Sequence, residues 1–274
     1  MTMSFRSVRA LALVLVATSP GCREKSPQAT ADPVAVASTA PPAPKPEPPP
    51  PAEAVVTTRR IEVPRTGHDP VVLELPVVKG AKTAAIDDAI NALLTPQAIL
   101  GESLDDVRDE AKAVTSAADL APGVQGATYE VRYDAHGVLE IEAFTEFMGA
   151  YPSTGRFHLL VDVTTGKSIG ASAFVRARLP ALVKRVDAML QAEVKSSAAA
   201  KDPDFKSLLD GAHFELKDPA DFSVSDAGLT FVHDYGFPHV ALALQPPGRF
   251  FVPWSDLAAD IDPKGPLARI HPVP

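Results

Sequence analysis

The chain has 274 residues, of which 46% are hydrophobic and 22% are charged, enough for one sizeable core or two small ones. Its formal net charge at pH 7 is −8, and an acidic surface repels phosphate backbones, so the charge excludes nucleic acid as the expected partner and favours a basic one. Cys22 is the only cysteine, which excludes an intrachain disulfide.

The N-terminus has the pattern of an export signal. Residues 1–21 contain a basic start, an apolar run and then small residues, as is typical of a secretory signal peptide. The run is shorter than the roughly 20 apolar residues that span a bilayer. The segment Ser19-Pro20-Gly21-Cys22 is similar to a bacterial lipobox, and this resemblance implies that Cys22 becomes the lipidated first residue of the mature protein. The alternative is an ordinary signal peptide with an incidental cysteine.

Lipidation would place the chain in the cell envelope, with the N-terminal lipid as its contact with the membrane. Arg23 stands where aspartate is associated with retention in the inner membrane of enteric bacteria. We therefore expect an outer-membrane anchor that faces the periplasm, or the cell surface.

A proline-rich segment follows. Residues 22–56 are rich in proline and alanine and have no apolar periodicity, and proline fills eight of the eleven positions from Pro41 to Pro51. This composition predicts a disordered tether with a semi-rigid polyproline II core that spaces the next domain from the membrane. The alternative is a ligand for proline-recognising domains.

A folded domain is predicted over residues 57–262, with an irregular tail over residues 263–274. Pro76 indicates that the second strand is an edge strand or ends there, because proline cannot donate a hydrogen bond to a strand ladder. Ser103 is expected to cap the second helix, with Asp106 three residues later. The first predicted elements are strands at Arg60–Val63 and Val71–Val78 and helices at Thr83–Leu94 and from Ser103 onward.

The centre of the chain has the strongest strand pattern. Apolar and polar residues alternate over Thr128–Ala135 and again in two runs between Glu140 and Lys167 that are joined by a loop rich in Gly, Pro and Ser. Together they predict three consecutive antiparallel strands, a β-meander. The predicted fold class is therefore α+β, with an antiparallel sheet around a β-meander core, packed with several helices in a single globular domain after a disordered linker.

The last third predicts two helices and three strands. The long helix, Phe174–Val194, has Pro180 near its first turn, where proline is tolerated. A short helix is predicted at Phe205–Leu209, and Ser255 is expected to cap a closing turn. The three predicted strands are Leu229–Tyr235, His239–Leu244 and Arg249–Trp254.

Two passages resemble a known family. The first is Gly149-Ala150-Tyr151-Pro152-Ser153-Thr154, followed by a strand that ends in Asp162-Val163-Thr164-Thr165-Gly166-Lys167. The second begins with Phe222-Ser-Val-Ser-Asp-Ala-Gly-Leu-Thr-Phe and closes with Val252-Pro253-Trp254-Ser255-Asp256-Leu257. Their order and spacing are similar to those of the DUF3298/RsiV-like domain family.

This resemblance implies an extracytoplasmic α+β module without an assigned chemistry. Relatives in the family include the external part of an anti-sigma factor, which senses lysozyme by binding it, and a companion region of a cell-wall polysaccharide deacetylase. The sequence shows neither a transmembrane helix that could carry a signal inward nor a recognisable deacetylase domain. These departures argue against an anti-sigma role and, more strongly, against deacetylase activity.

The loop predicted between the hairpin strands, Gly149–Gly155, is the best candidate for a ligand-binding site. Two glycines, a proline and an aromatic residue suit a loop that contacts a ligand from a rigid hairpin. The alternative is that Gly and Pro only shape the turn and that Tyr151 packs under it. The candidate ligand-binding residues are Gly149, Tyr151, Pro152, Ser153 and Thr154.

Acidic and histidine side chains raise two further hypotheses. Glu140 and Glu142 are about 7 Å apart on one face of a strand, a separation that can serve glycoside hydrolysis, although an exposed polar face is the commoner meaning of this pattern. His158 and Asp162 share a face but lie about 13 Å apart, too far for one metal ion. We expect no metal and no cofactor.

Three functions follow from these observations. The first is a lipid-anchored binding or sensing module that contacts a basic protein of the lysozyme type or a cell-wall glycan. The second is a wall-processing hydrolase that uses Glu140, Glu142 and a histidine. The third is a structural envelope lipoprotein.

Overall fold

The computed structural model describes residues 54–117, 121–215, 217 and 221–271. The predicted signal peptide, the lipid-attachment residue Cys22 and the predicted tether up to residue 53 lie outside these ranges. Within the described ranges, no helix is both long enough and apolar enough to cross a membrane.

The strands of the described residues form two sheets. In chain order they are β1 (Val55–Arg65), β2 (His68–Lys79), β3 (Gly123–Ala135), β4 (Val138–Met148), β5 (Pro152–Asp162), β6 (Lys167–Ser168), β7 (Phe222–Ser225), β8 (Gly228–Val232) and β9 (Arg249–Pro253). The larger sheet has the order β1-β2-β3-β4-β5-β6, and the smaller has the order β7-β8-β9. The predicted meander is confirmed as β3-β4-β5, which pair antiparallel.

The pairing of β2 with β3 is parallel, so the larger sheet is mixed. In the described chain these two strands pair only at Val72 with Gly126 and at Leu73 with Ala127. A parallel pair needs a long crossover, which here contains three helices. The edge position predicted from Pro76 is wrong, since β2 lies between β1 and β3. Pro76 lies beyond the last position that pairs with β3, where no donor to β3 is required.

The α-helices of the described residues are α1 (Ala84–Leu93), α2 (Pro96–Leu100), α3 (Leu104–Ala113), α4 (Leu179–Ser196), α5 (Ala198–Lys201) and α6 (Trp254–Leu257). The predicted cap of α3 is confirmed, because the Ser103 hydroxyl accepts from the Asp106 amide at 3.1 Å and the Asp106 carboxylate accepts from the Ser103 amide at 3.2 Å. Pro180 lies in the first turn of α4, as predicted.

The larger sheet is packed against helices on one face and is covered over part of the other. Leu139, Ile141 and Ala143 of β4 point to one face and are buried with apolar residues of α1, α2 and α3. We call the opposite face of the larger sheet the outer face. Val138 and Leu160 on the outer face are buried in a second core with apolar residues of α4 and the smaller sheet. The larger sheet therefore lies between a layer of three helices and the layer formed by α4 with the smaller sheet.

Several predictions for the last third are wrong. The segment His239–Leu244 is a 3₁₀-helix, and the third strand of the smaller sheet is instead Phe222–Ser225. Pro253 occupies the cap position of α6, while the Ser255 hydroxyl donates to Asp256. The tail that was predicted to be irregular contains a 3₁₀-helix, Pro266–Arg269.

Candidate functional surface

The register of the strands arranges the side chains of the outer face in rows that cross the sheet. The rows are Val72, Gly126, Glu146 and Thr154; then Thr128, Phe144 and Arg156; then Glu130, Glu142 and His158. The smaller sheet reaches the part of this face that carries Glu140, whose carboxylate accepts a hydrogen bond from the Val224 amide of β7 at 2.8 Å. Glu146 and Thr154 at the other end of the face are exposed.

Glu140 and Glu142 are buried, with only 1% and 3% of their surfaces exposed, so the prediction of an exposed polar face is wrong. The second oxygen of Glu140 lies 3.1 Å from His158 Nε2. The His158 ring also faces Asp221, with Nδ1 3.5 Å from the carboxylate. The imidazole therefore lies between a carboxylate of the larger sheet and one that directly precedes β7.

Arginine side chains neutralise the second buried carboxylate. Glu142 forms ion pairs with Arg156 and with Arg132, the latter at 3.1 Å. Arg156 also approaches Asp221 at 3.8 Å. Three carboxylates and three basic side chains thus form one network, which we call the inter-sheet network. Buried charges are tolerated when each has partners of this kind.

The pKa of Glu140 shows that the network favours its ionised form. Burial is the largest effect and by itself raises the pKa of Glu140. Hydrogen bonds from His158, Val224 and Ser223, together with the charge of His158, outweigh burial and leave the pKa below its usual value. Both glutamates are enclosed and bonded to protein groups, which suits attachment of the smaller sheet to the larger one and does not favour the hydrolase hypothesis.

The hairpin loop is shorter than predicted. It comprises residues 149–151, and Pro152, Ser153 and Thr154 already belong to β5. Tyr151 is 68% exposed, so it does not pack under the loop. Its ring lies 5.5 Å from that of His239, at the start of the 3₁₀-helix that replaces a predicted strand. The next residue, Val240, is 85% exposed, so the hairpin tip and this helix present apolar surface to solvent.

A groove of about 410 Å³ lies on the outer face beside the hairpin tip. Thr154 belongs to both the predicted ligand-binding residues and the groove, and its cross-strand neighbour Glu146 also lines it. Other side chains in the groove are Val72, Glu74 and Phe144. The sequence reasoning missed this groove because it forms where β2 meets β3, and the hydrophobic pattern does not specify that pairing.

The second half of the first family-like passage has a structural role. The Asp162 carboxylate accepts hydrogen bonds from the Thr164 amide at 2.9 Å and from the Thr164 hydroxyl at 2.7 Å. Arg269 of the tail donates to the same carboxylate at 2.7 Å and to the backbone oxygen of Gly137 at 3.1 Å. Burial raises the pKa of Asp162, but the bonds from Thr164 and Arg269 outweigh it, and the pKa is lowered.

A metal site is not apparent in the described part of the chain, where no group of three or more His, Cys, Asp or Glu residues is placed to hold an ion. His158 contacts Glu140 and Asp221 in the inter-sheet network. The described surface has a groove on the outer face and an exposed aromatic residue at the hairpin tip.

The fold is a small α+β module in which part of the outer face of the larger sheet is exposed. No family model and no curated protein matches the chain. Several solved structures are similar, among them two DUF3298 family proteins. A DUF3298 family protein of Pseudomonas aeruginosa has a TM-score of 0.51 and 16% identity, over 78% of this chain and 96% of the other. A DUF3298 family member of Bacteroides fragilis has a TM-score of 0.54 and 13% identity, over 80% and 99%.

These comparisons confirm the resemblance for the folded domain: the chain contains a DUF3298-like domain. At these low identities the likeness concerns the fold and carries no activity, substrate or partner to this chain.

Proposed function

We propose that this protein is a lipid-anchored binding or sensing module of the cell envelope, which contacts a basic protein such as a lysozyme-type enzyme. Lipid on Cys22 would hold it in the outer membrane, facing the periplasm or the cell surface, and the proline-rich segment would space the domain from the bilayer. The hairpin tip and the adjoining groove form the contact surface.

The observation that carries this proposal is the combination of an exposed aromatic residue at the hairpin tip with carboxylates in the groove on the outer face. Tyr151 is 68% exposed at the tip, and Glu74 and Glu146 line the groove next to it. Aromatic side chains are enriched among residues that contribute most to protein interfaces. With a net charge of −8, the whole chain attracts a basic partner over long distances.

The binding experiment is a calorimetric titration of the full-length protein with lysozyme at low and at moderate salt. We expect binding that salt weakens, because screening shortens the range of charge attraction. Tyr151→Ala should weaken it about tenfold or more, as for an interface anchor. Phe251→Ala is the matched control, because Phe251 is another exposed aromatic and lies on β9 of the smaller sheet.

A sedimentation assay with peptidoglycan distinguishes a cell-wall glycan ligand from a protein partner. If the protein sediments with purified peptidoglycan and does not bind lysozyme, the partner is a wall glycan. If it binds neither, the binding proposal is refuted and a structural lipoprotein remains. The anchor is tested separately by metabolic palmitate labelling, which Cys22→Ala should abolish.

A further inference from the structure

The groove on the outer face exists because two strands separate and because one position lacks a side chain. Beyond Leu73 and Ala127, β2 and β3 have no further paired residues in the described chain. Gly126 lies between Val72 and Glu146 in the first row of the outer face. A Cβ atom at Gly126 would lie 3.4 Å from the Val72 carbonyl oxygen and 3.9 Å from a Glu146 carboxylate oxygen. The glycine therefore leaves a gap directly beside that carboxylate.

The charges around this gap are unbalanced. Glu74 forms an ion pair with Arg60 at 3.1 Å. Glu146 is exposed, and in the described part of the chain it makes no hydrogen bond or ion pair. Arg156 follows Thr154 by two residues on the same face, but its guanidinium is bonded to the inter-sheet network. One uncompensated carboxylate thus borders the groove.

The apolar part of the groove complements this charge. Phe144 lies in the second row and Val72 in the first, so an aromatic ring and an aliphatic side chain accompany the carboxylate of Glu146. A long side chain with an apolar stem and a cationic end makes use of both features. Aromatic rings attract such cations, arginine most often. The volume of about 410 Å³ lies within the range of about 300–1,000 Å³ that is typical of ligand pockets.

We propose that this groove binds an arginine or lysine side chain of the protein partner, with the cation at Glu146 and the stem against Phe144. This inference rests on the proposed function for its basic partner, whereas the groove itself is defined by the contacts described above. Lysine meets the carboxylate as a point charge, whereas arginine can also stack on the ring. We therefore expect arginine to bind more tightly.

The test uses short peptides, so that it does not depend on the identity of the partner. Full-length protein with isotope-labelled amides is titrated with Ala-Arg-Ala and, as the matched neutral probe, with Ala-citrulline-Ala. We expect saturable shifts of the amides around Gly126 and Thr154 with the arginine peptide only. Glu146→Gln should weaken binding about two- to fivefold, the size expected for an exposed charge pair. Phe144→Leu should weaken it by a similar factor through loss of the ring.

Asp88→Asn is the control for net charge. Asp88 is exposed on α1, which packs on the opposite face of the sheet, so this change removes one negative charge without touching the groove. Equal weakening by Asp88→Asn and Glu146→Gln would overturn the proposal, as would the absence of saturable shifts or equal binding of the citrulline peptide. A thermal melt of each variant shows whether it is folded.

The outcomes separate the two proposals. If the arginine peptide binds at the groove but lysozyme does not bind, the groove assignment stands and the proposed partner is wrong. If lysozyme binds normally to Glu146→Gln and the arginine peptide does not bind the unmodified protein, the proposed function stands and the groove assignment is wrong.

Discussion

Replacement of Glu140 by glutamine tests whether the inter-sheet network holds the two sheets together. Glutamine preserves the shape of the side chain and an oxygen that can accept from the Val224 amide, but it removes the charge that faces His158 at 3.1 Å. Hydrogen bonds to charged groups contribute about 1.5–3 kcal/mol. Because Glu140 is only 1% exposed, solvent does not replace the lost partner, and we expect the free energy of unfolding to fall by about 2 kcal/mol.

The assays are urea unfolding at pH 7, which gives the free energy of unfolding, and a thermal melt, which gives Tm, both followed by circular dichroism. For a domain of this size, a loss of about 2 kcal/mol corresponds to a fall in Tm of about 4–8 °C. Glu62→Gln is the matched control, because Glu62 lies on β1 outside the inter-sheet network, has a side chain that is 56% exposed and pairs with Arg60 at 3.0 Å. Such an exposed pair contributes about 0–1 kcal/mol. Equal loss of stability in the two variants would refute the role assigned to Glu140.

The same variant has a defined dependence on pH. The pKa of Glu140 is lower in the folded chain than its usual value of 4.5. An acid of this kind stabilises the folded state fully above the unfolded pKa, and that contribution is lost as the pH falls through the folded pKa. The difference in free energy between the unmodified protein and Glu140→Gln should therefore be constant well above pH 4.5 and should shrink below it. A difference that grows as the pH falls would contradict the direction of the shift.

Two further predictions concern the Asp162 turn. Arg269→Ala leaves the buried carboxylate of Asp162 without its cation and should lower the free energy of unfolding by about 2–3 kcal/mol. Lys264→Ala in the same tail removes an exposed lysine and should change it by less than about 0.5 kcal/mol. Equal effects of the two changes in chemical unfolding would argue against the Arg269 contact. Gly166→Ala should destabilise more than Gly101→Ala, because both glycines have positive φ but a Cβ at Gly166 would also lie 2.9 Å from that of Ala89. Strain alone accounts for about 1–2 kcal/mol at either site, so equal melting temperatures would show that the clash at Gly166 relaxes.

The parts of the fold that depend on local pattern were predictable. The alternation from Thr128 to Asp162 specified three strands and placed Leu139 and Ile141 on one face, because side chains on a strand alternate with period two. The cap of α3 was predictable from Ser103 and Asp106, whose contact spans only three residues.

The burial of Glu140 and Glu142 was not predictable from alternation, because an alternating strand has one polar face whether or not another layer covers it. The register of the hairpin offered a signal: it places Glu142 directly across from His158, and such opposite pairs fit a covered face as well as an exposed one. The strand prediction for His239–Leu244 was wrong for a different reason. Its composition suits a strand, but Ala241 is buried in a small third cluster of apolar residues, and that tertiary contact favours a tight helical turn.

The candidate surface was predictable only in part. Loop composition predicts Tyr151 and Thr154 as candidate ligand-binding residues, whereas Phe144 and Glu146 have the pattern of ordinary strand residues. Their relevance comes from Gly126 and Val72, which are distant in the sequence and become neighbours only through the parallel pairing of β2 and β3.

That short parallel pairing also affects how the domain opens. The strands of the β1–β2 hairpin and of the β3–β5 meander are joined by short turns. The pairing of β2 with β3, which forms the junction between these two units, instead closes a long loop that contains three helices. With two residue pairs at the junction, amide protons there should exchange through local separation of the two units at lower free energy than those in the centre of the meander. A side chain that fills the groove touches both units, so its binding should slow this exchange and raise the cooperativity of unfolding.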